Sequence, residues 1–211
     1  MSDEEREFEE QQEEEEEEQQ EECYETGNRA DGVVKYGDIV CLKHVETSKY
    51  LTSTDSAYEH DGTSGQQVVF TNDFDDNESQ EWFVLPVEGT DQELGGEVGF
   101  DDEFKLKHKE TGRYLHSHPD IPSPESGQQE VTGFGGDDET DENDIWVLQA
   151  FPDHEYPEED YLWHLDIPIV IRHKMTGFTL HSHDAFQFND GNEVTAYVGT
   201  DENDQWSASF D

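Results

Sequence analysis

The chain has 211 residues, a formal net charge of −45 and only 30% hydrophobic residues, yet 11% of it is aromatic. That length allows one ordinary domain with a tail, and the aromatics can still supply a core. The acidity excludes polyanionic partners, because nucleic acid demands a basic footprint and anionic membrane surfaces would repel the chain.

The charge is uneven. Up to Glu25 there are 15 acidic residues against one basic residue, so residues 1–32 read as a solvated, disordered Glu/Gln-rich tail. The opening MSDEEREFEE has neither a basic n-region nor an apolar h-region, so no secretory leader is expected. No run approaches the roughly 20 apolar residues of a membrane span. Cys23 lies in the tail and Cys41 in a predicted strand, which gives neither a disulfide framework nor a metal-type spacing. These signs point to a cytoplasmic, reducing compartment.

From Tyr36 onward three related units follow, at about 36–86, 102–150 and 162–211. The first carries CLKHVETSKYLTST (Cys41–Thr54), SGQQVV and SQEW. The second carries KLKHKETGRYLHSH (Lys105–His118), SGQQEV and NDIW. The third carries VIRHKMTGFTLHSH (Val170–His183), DGNEVT and NDQW. His44, His108 and His173 each stand seven residues before a leucine (Leu51, Leu115, Leu180), and each unit closes on a tryptophan (Trp82, Trp146, Trp206). The histidines recur after 64 and 65 residues, the signature of an internal repeat.

Within a unit the elements are short strands. EFKLKHK alternates, with Phe104, Leu106 and His108 on one face and Lys105, Lys107 and Lys109 on the other. ETG makes a tight turn in which Gly112 takes a positive φ, and RYLHSH returns as the second strand of a hairpin. Unit one has Ser48 where Gly112 and Gly177 stand, so a looser turn is expected there. QQEVTGF and IWVLQAF supply the third and fourth strands. Four strands in each of three units, none able to bury its own face, predict an all-β fold: a β-trefoil, with a six-stranded barrel closed by three hairpins. Residues 86–102 and 151–161 read as connectors.

The middle unit, through LKHKETGRYLHSH, SGQQEVTGFG and the tryptophan that follows, resembles the MIR domain. That domain is shared by protein O-mannosyltransferases, inositol trisphosphate and ryanodine receptors, and stromal cell-derived factor 2-like proteins. The third unit fits through IRHKMTGFTLHSHD and GNEVTAY; the first lacks His-Ser-His and diverges most. The resemblance covers about residues 36–210 and itself implies a β-trefoil of three such units. With no membrane span, leader or retention tail read in the sequence, a stand-alone MIR unit is expected.

His116 with His118, and His181 with His183, stand at i and i+2 on a strand, so each pair shares a face. A metal could bridge such a pair, but no further ligand is spaced to complete it, and hydrogen bonding near the turn is the better reading. The inward His44, His108 and His173 are expected to satisfy backbone carbonyls. Lys105, Lys107, Lys109 and Arg113 could form an anion pocket, although exposed lysines balanced by carboxylates are expected instead. The Asp-rich loops lack the offsets of a calcium loop. Tyr50, Tyr114 and Phe178 are read as sharing one repeat position, one residue before Leu51 and Leu115 and two before Leu180, and could offer faces to a sugar. No nucleophile elbow or phosphate loop is present. The expectation is therefore a non-catalytic binding module without cofactor, for a glycan, glycoprotein or other protein partner. The alternatives are an accessory part of an O-mannosyltransferase and a chaperone-associated adaptor.

Overall fold

The structure, a computed structural model, describes residues 32–74, 78–136, 139–152, 154–156 and 161–210. The expected tail, apart from Gly32, lies outside the described residues, as does Cys23.

Unit one folds as β1 (Ile39–His44), β2 (Tyr50–Ala57), β3 (Gln67–Asn72) and β4 (Glu81–Leu85). Unit two gives β5 (Glu103–His108), β6 (Tyr114–His116), β7 (Gln129–Glu130), β8 (Thr132–Phe134) and β9 (Trp146–Ala150). Unit three gives β10 (Ile169–His173), β11 (Thr179–Phe188), β12 (Gly191–Tyr197) and β13 (Gln205–Ser209). The third strand expected in unit two is interrupted at Val131, whose side chain is buried, so it becomes β7 and β8. Six strands close a barrel: β1 pairs with β4, β4 with β5, β5 with β9, β9 with β10, β10 with β13, and β13 with β1. The remaining strands form the hairpin layer, joined by β3–β8, β3–β12 and β7–β12 pairs. This is the β-trefoil predicted from the repeats, and closure leaves the barrel without an open edge.

The recurring residues do the same work in each unit. Trp82, Trp146 and Trp206 are fully buried, and their indole N–H groups donate to the carbonyls of Leu51, Leu115 and Leu180 at 3.1, 2.8 and 2.9 Å. A buried indole N–H usually finds such a partner. Around them pack Val40, Phe104 and Ile169, and next Leu42, Leu106 and Ile171, all in one core.

Three segments outside the named strands, only one of them within an expected connector (86–102), contribute more than a link. Val34, Val98 and Trp163 are fully buried. Their backbones form a cycle: Val34 N donates to Trp163 O, Trp163 N to Val98 O, and Val98 N to Val34 O, at 2.9, 2.8 and 3.1 Å. Three extended segments thereby satisfy one another across the pseudo-threefold axis, at a place where no strand partner is available.

Ser48 corrects another expectation. It adopts φ 59°, against 67° for Gly112 and 71° for Gly177, and its N–H donates to His44 O as theirs donate to His108 O and His173 O. The turn in unit one is thus the same turn, held by a residue that disfavours that conformation.

Hairpin length differs among the units. β2 and β11 run for eight and ten residues, whereas β6 stops after three. Unit two continues as HPDIPSPES, and its prolines cannot donate to a ladder. β11 instead turns back through Asn189 and Asp190, both left-handed at φ 48° and 61°, a two-residue turn suited to a twisted hairpin. Gly191 then lets β12 lie directly on β3: a Cβ there would sit inside the van der Waals radius of the Thr71 carbonyl oxygen.

Candidate functional site

The structure turns the predicted basic patch on itself. Lys105 is not on an exposed strand face; it is buried, with its ammonium donating to Glu88 Oε2 and Thr140 Oγ1, both at 2.8 Å. That bond holds the Glu88 carboxyl below its ordinary pKa. Lys109 lies beyond the end of β5 and donates to Glu81 Oε2 at 2.8 Å. Arg113 Nη1 donates to Gly135 O. Lys107 and Lys105 stand 5.6 and 5.5 Å from the Tyr114 ring centroid, one cation–π arrangement shared by two ammonium groups. Tyr114 is itself buried. These residues come together as a cluster in which Lys105, Lys109 and Arg113 already have acceptors and the Tyr114 ring is covered. Alternation along a strand gives the face a side chain takes, not the depth at which a neighbouring loop will cover it. Register also separates the third aromatic: Tyr50 faces Lys43 and Tyr114 faces Lys107, but Thr179 faces Arg172, so Phe178 is not their counterpart.

The two His-Ser-His motifs divide into three duties. His116 Nδ1 donates to Asp144 Oδ1 at 2.8 Å and His181 Nδ1 to Asp204 Oδ1 at 2.9 Å, with both aspartates fully buried. Ser117 and Ser182 donate to the carbonyls of Glu130 and Glu193 at 2.8 and 3.0 Å. Ser53, the unit-one counterpart, donates to Val68 O. His118 and His183 lie further out, their ring centroids 6.5 and 6.4 Å from those of His116 and His181. Unit one replaces the buried pair with uncharged groups: Thr52 donates to Asn72 Oδ1, which also accepts from Gln80 Nε2.

The Asp-rich loops find their role here. Asp141 and Asp201 cap 3-10 turns at Glu142–Asp144 and Glu202–Asp204, and Asp144 and Asp204 complete the capping boxes by accepting from the cap residues' own N–H groups. His116 with Asp141 and Asp144, and His181 with Asp201 and Asp204, each bring three potential metal-ligand atoms within 4.8 Å. The same carboxylates are already committed to the turns, which accounts for their arrangement.

His44, His108 and His173 form joints between units. Each Nδ1 accepts from the hydroxyl three residues on (Thr47, Thr111, Thr176) at 2.8, 2.9 and 2.8 Å. Each Nε2 donates to a carbonyl in the 3-10 turn of the preceding unit: Asn203, Ser79 and Asn143, at 2.9, 3.0 and 3.1 Å. Each ring also packs on that unit's tryptophan, with centroids 5.0, 4.8 and 5.0 Å apart. Burial disfavours the imidazolium and lowers all three pKa values, to about 4 for His44 and His173.

An accessible concavity lies elsewhere. Between the long hairpins of units one and three runs a groove of about 550 Å³, walled by β2, β3 and the β11–β12 turn. Tyr58 and Phe188 stack there with centroids 5.3 Å apart, and the His60 ring lies 6.4 Å from Phe188. Phe70 packs with Tyr58 in a small cluster separate from the main core, while Phe74 remains 45% exposed at the groove. The single Tyr58 hydroxyl proton is shared between Val131 O and Val69 O, at 3.1 and 3.3 Å, and burial raises its pKa. Exposed Glu59 and Asp190 flank the aromatic surface. Repeat analysis missed this site because its aromatics do not recur from unit to unit. The available signal was the reverse of a repeat: Phe186 and Phe188 in a strand whose unit-two equivalent is rich in proline.

Residues 32–207 match the MIR domain family profile. The chain belongs to the MIR domain family. Among its relatives is the stromal cell-derived factor 2-like protein of Arabidopsis thaliana, 35% identical over 153 residues, which are 72% of this chain and 65% of that protein. Human stromal cell-derived factor 2 is 36% identical over 117 residues, 56% of this chain and 54% of that one. The MIR chain thus spans between about half and two thirds of the length of these curated relatives. Its fold matches the crystal structure of the SDF2-like protein from Arabidopsis thaliana with a TM-score of 0.76 at 30% identity, over 84% of this chain and 94% of that one. It also matches the S. cerevisiae protein O-mannosyltransferase Pmt1-Pmt2 complex bound to the sugar donor, with a TM-score of 0.72 at 25% identity, over 88% of this chain and 27% of that one. A designed threefold symmetric protein, ThreeFoil, shares the fold alone, with a TM-score of 0.51 at 19% identity.

Proposed function

We propose that this MIR chain is a non-catalytic recognition module that receives a glycan, glycoprotein or other protein partner in the groove between units one and three. The observation that carries this reading is the aromatic surface of exposed Phe74 and His60 and half-buried Phe188, gathered between the hairpins of units one and three. The repeated His, Asp and Thr side chains are engaged in holding turns and joints, whereas Phe74 of the groove remains exposed. Such open aromatic faces suit either a sugar ring or a protein side chain. The likeness to the Pmt1-Pmt2 complex supports a second reading, an accessory part of a glycosyl-transferring assembly. The test is amide and aromatic NMR shift mapping with methyl α-mannoside and, separately, short peptides. Shifts confined to Phe74, Phe188, His60 and their neighbours are expected from at least one class. Silence of the groove toward both would refute the assignment, and mannosyl transfer by the isolated chain would refute its non-catalytic character.

A further inference from the structure

Resting on that groove reading, we infer that its occupant is a cation: a lysine or arginine side chain from an extended basic segment of a protein partner. Three features of the groove agree on this chemistry. Its exposed Phe74 and half-buried Phe188 are rings of the kind that attract ammonium and guanidinium groups through the ring quadrupole. Its carboxylates, Glu59 at the unit-one hairpin and Asp190 at the unit-three turn, stand exposed, and among the described residues that line it there is no lysine or arginine. The chain as a whole carries a net charge of −45, which favours cationic partners over anionic ones.

A neutral sugar would make different demands. Its hydroxyls need acceptors fixed in direction, whereas the two groove carboxylates sit at solvent-facing hairpin ends and act as point charges. At about 550 Å³ the groove has room for more than a single ammonium group. Its geometry depends on Gly191, which sets β12 directly against β3, and on the Asn189–Asp190 turn, which places one acid at the rim.

The probe is the tripeptide Ac-Gly-Arg-Gly-NH2, with its citrulline analogue as the uncharged match. Both are titrated by NMR into the full chain at about 150 mM salt, where distant surface charges are screened. The arginine peptide should shift groove resonances and the citrulline peptide should not. Glu59→Gln with Asp190→Asn should weaken binding about tenfold, while Glu93→Gln on a distant exposed loop should leave it unchanged. Asparagine tolerates the left-handed backbone of position 190, so the double variant keeps the turn. Shifts scattered over the acidic surface and unaffected by the double variant would overturn the inference, as would equal response to citrulline. If methyl α-mannoside moves the groove and the arginine peptide does not, the groove assignment survives and the cation inference fails. If neither ligand moves it, both fail.

Discussion

The barrel half of each unit is nearly a copy of the other two, while the hairpin half is not. In the barrel, one tryptophan, one histidine and one threonine take the same bonds three times, with distances agreeing within 0.3 Å. In the hairpin layer, the first outward strands run for eight, three and ten residues, and the buried His–Asp pair exists in two units only. Closing a six-stranded ring forces every unit to present the same interior to its neighbours. A hairpin needs to satisfy only its own ladder and the strand it rests on. Sequence freedom, and with it binding chemistry, collects at that end.

The strongest way to break this contrast is acid. His44 and His173 titrate near about 4 in the fold, against an ordinary 6.5, because burial disfavours their charged forms. As pH falls below about 6.5 the unfolded chain takes up these protons first. The stabilisation is therefore complete above that pH and is lost as pH drops through about 4, by roughly 3 kcal/mol for each histidine. Urea unfolding at a series of pH values should show the loss, and His173→Gln should remove that residue's share of the slope. An unchanged slope would mean the joints do not carry the barrel.

A smaller effect separates two glycines of the hairpin layer. Gly191→Ala should cost about 3 kcal/mol or more, because the methyl group meets the Thr71 backbone and β12 must lift from β3. Gly127→Ala has open space around it and meets only the cost of its φ of 72°, about 1 kcal/mol. Denaturant midpoints of the two variants measure the difference. Equal losses would show that unit three's hairpin is no more closely docked than unit two's loop.

The smallest prediction sharpens the likeness rather than the contrast. Ser48→Gly should stabilise the chain by about 0.5–1 kcal/mol, since it relieves the left-handed serine without removing a buried contact. A loss of stability would mean the Ser48 side chain contributes something its turn geometry does not show.

The barrel was legible in the sequence because each of its parts recurs by type as well as by place. His44, His108 and His173 could be assigned to backbone carbonyls from their inward position among apolar neighbours. Val34, Val98 and Trp163 were not legible, because one structural place is filled by two valines and a tryptophan. The Tyr114 cluster misled for a different reason: Thr140 and Glu88 reach Lys105 from loops distant in sequence, and strand alternation carries no information about them. Gly191 did carry a signal. A glycine beginning a strand often marks close backbone approach, here the contact that shapes the groove.

The histidine joints have a consequence for how the chain is threaded. His44 of the first unit grips Asn203 of the last as His108 grips Ser79 and His173 grips Asn143. The ring therefore has three equivalent seams, and at one of them no peptide bond runs between the units it joins. Covalent continuity is incidental there, so opening the chain at another seam and linking the old ends would rearrange the order of synthesis while leaving every gripping contact in place. A nascent chain, by contrast, stays an unclosed arc until its final unit emerges and meets the first.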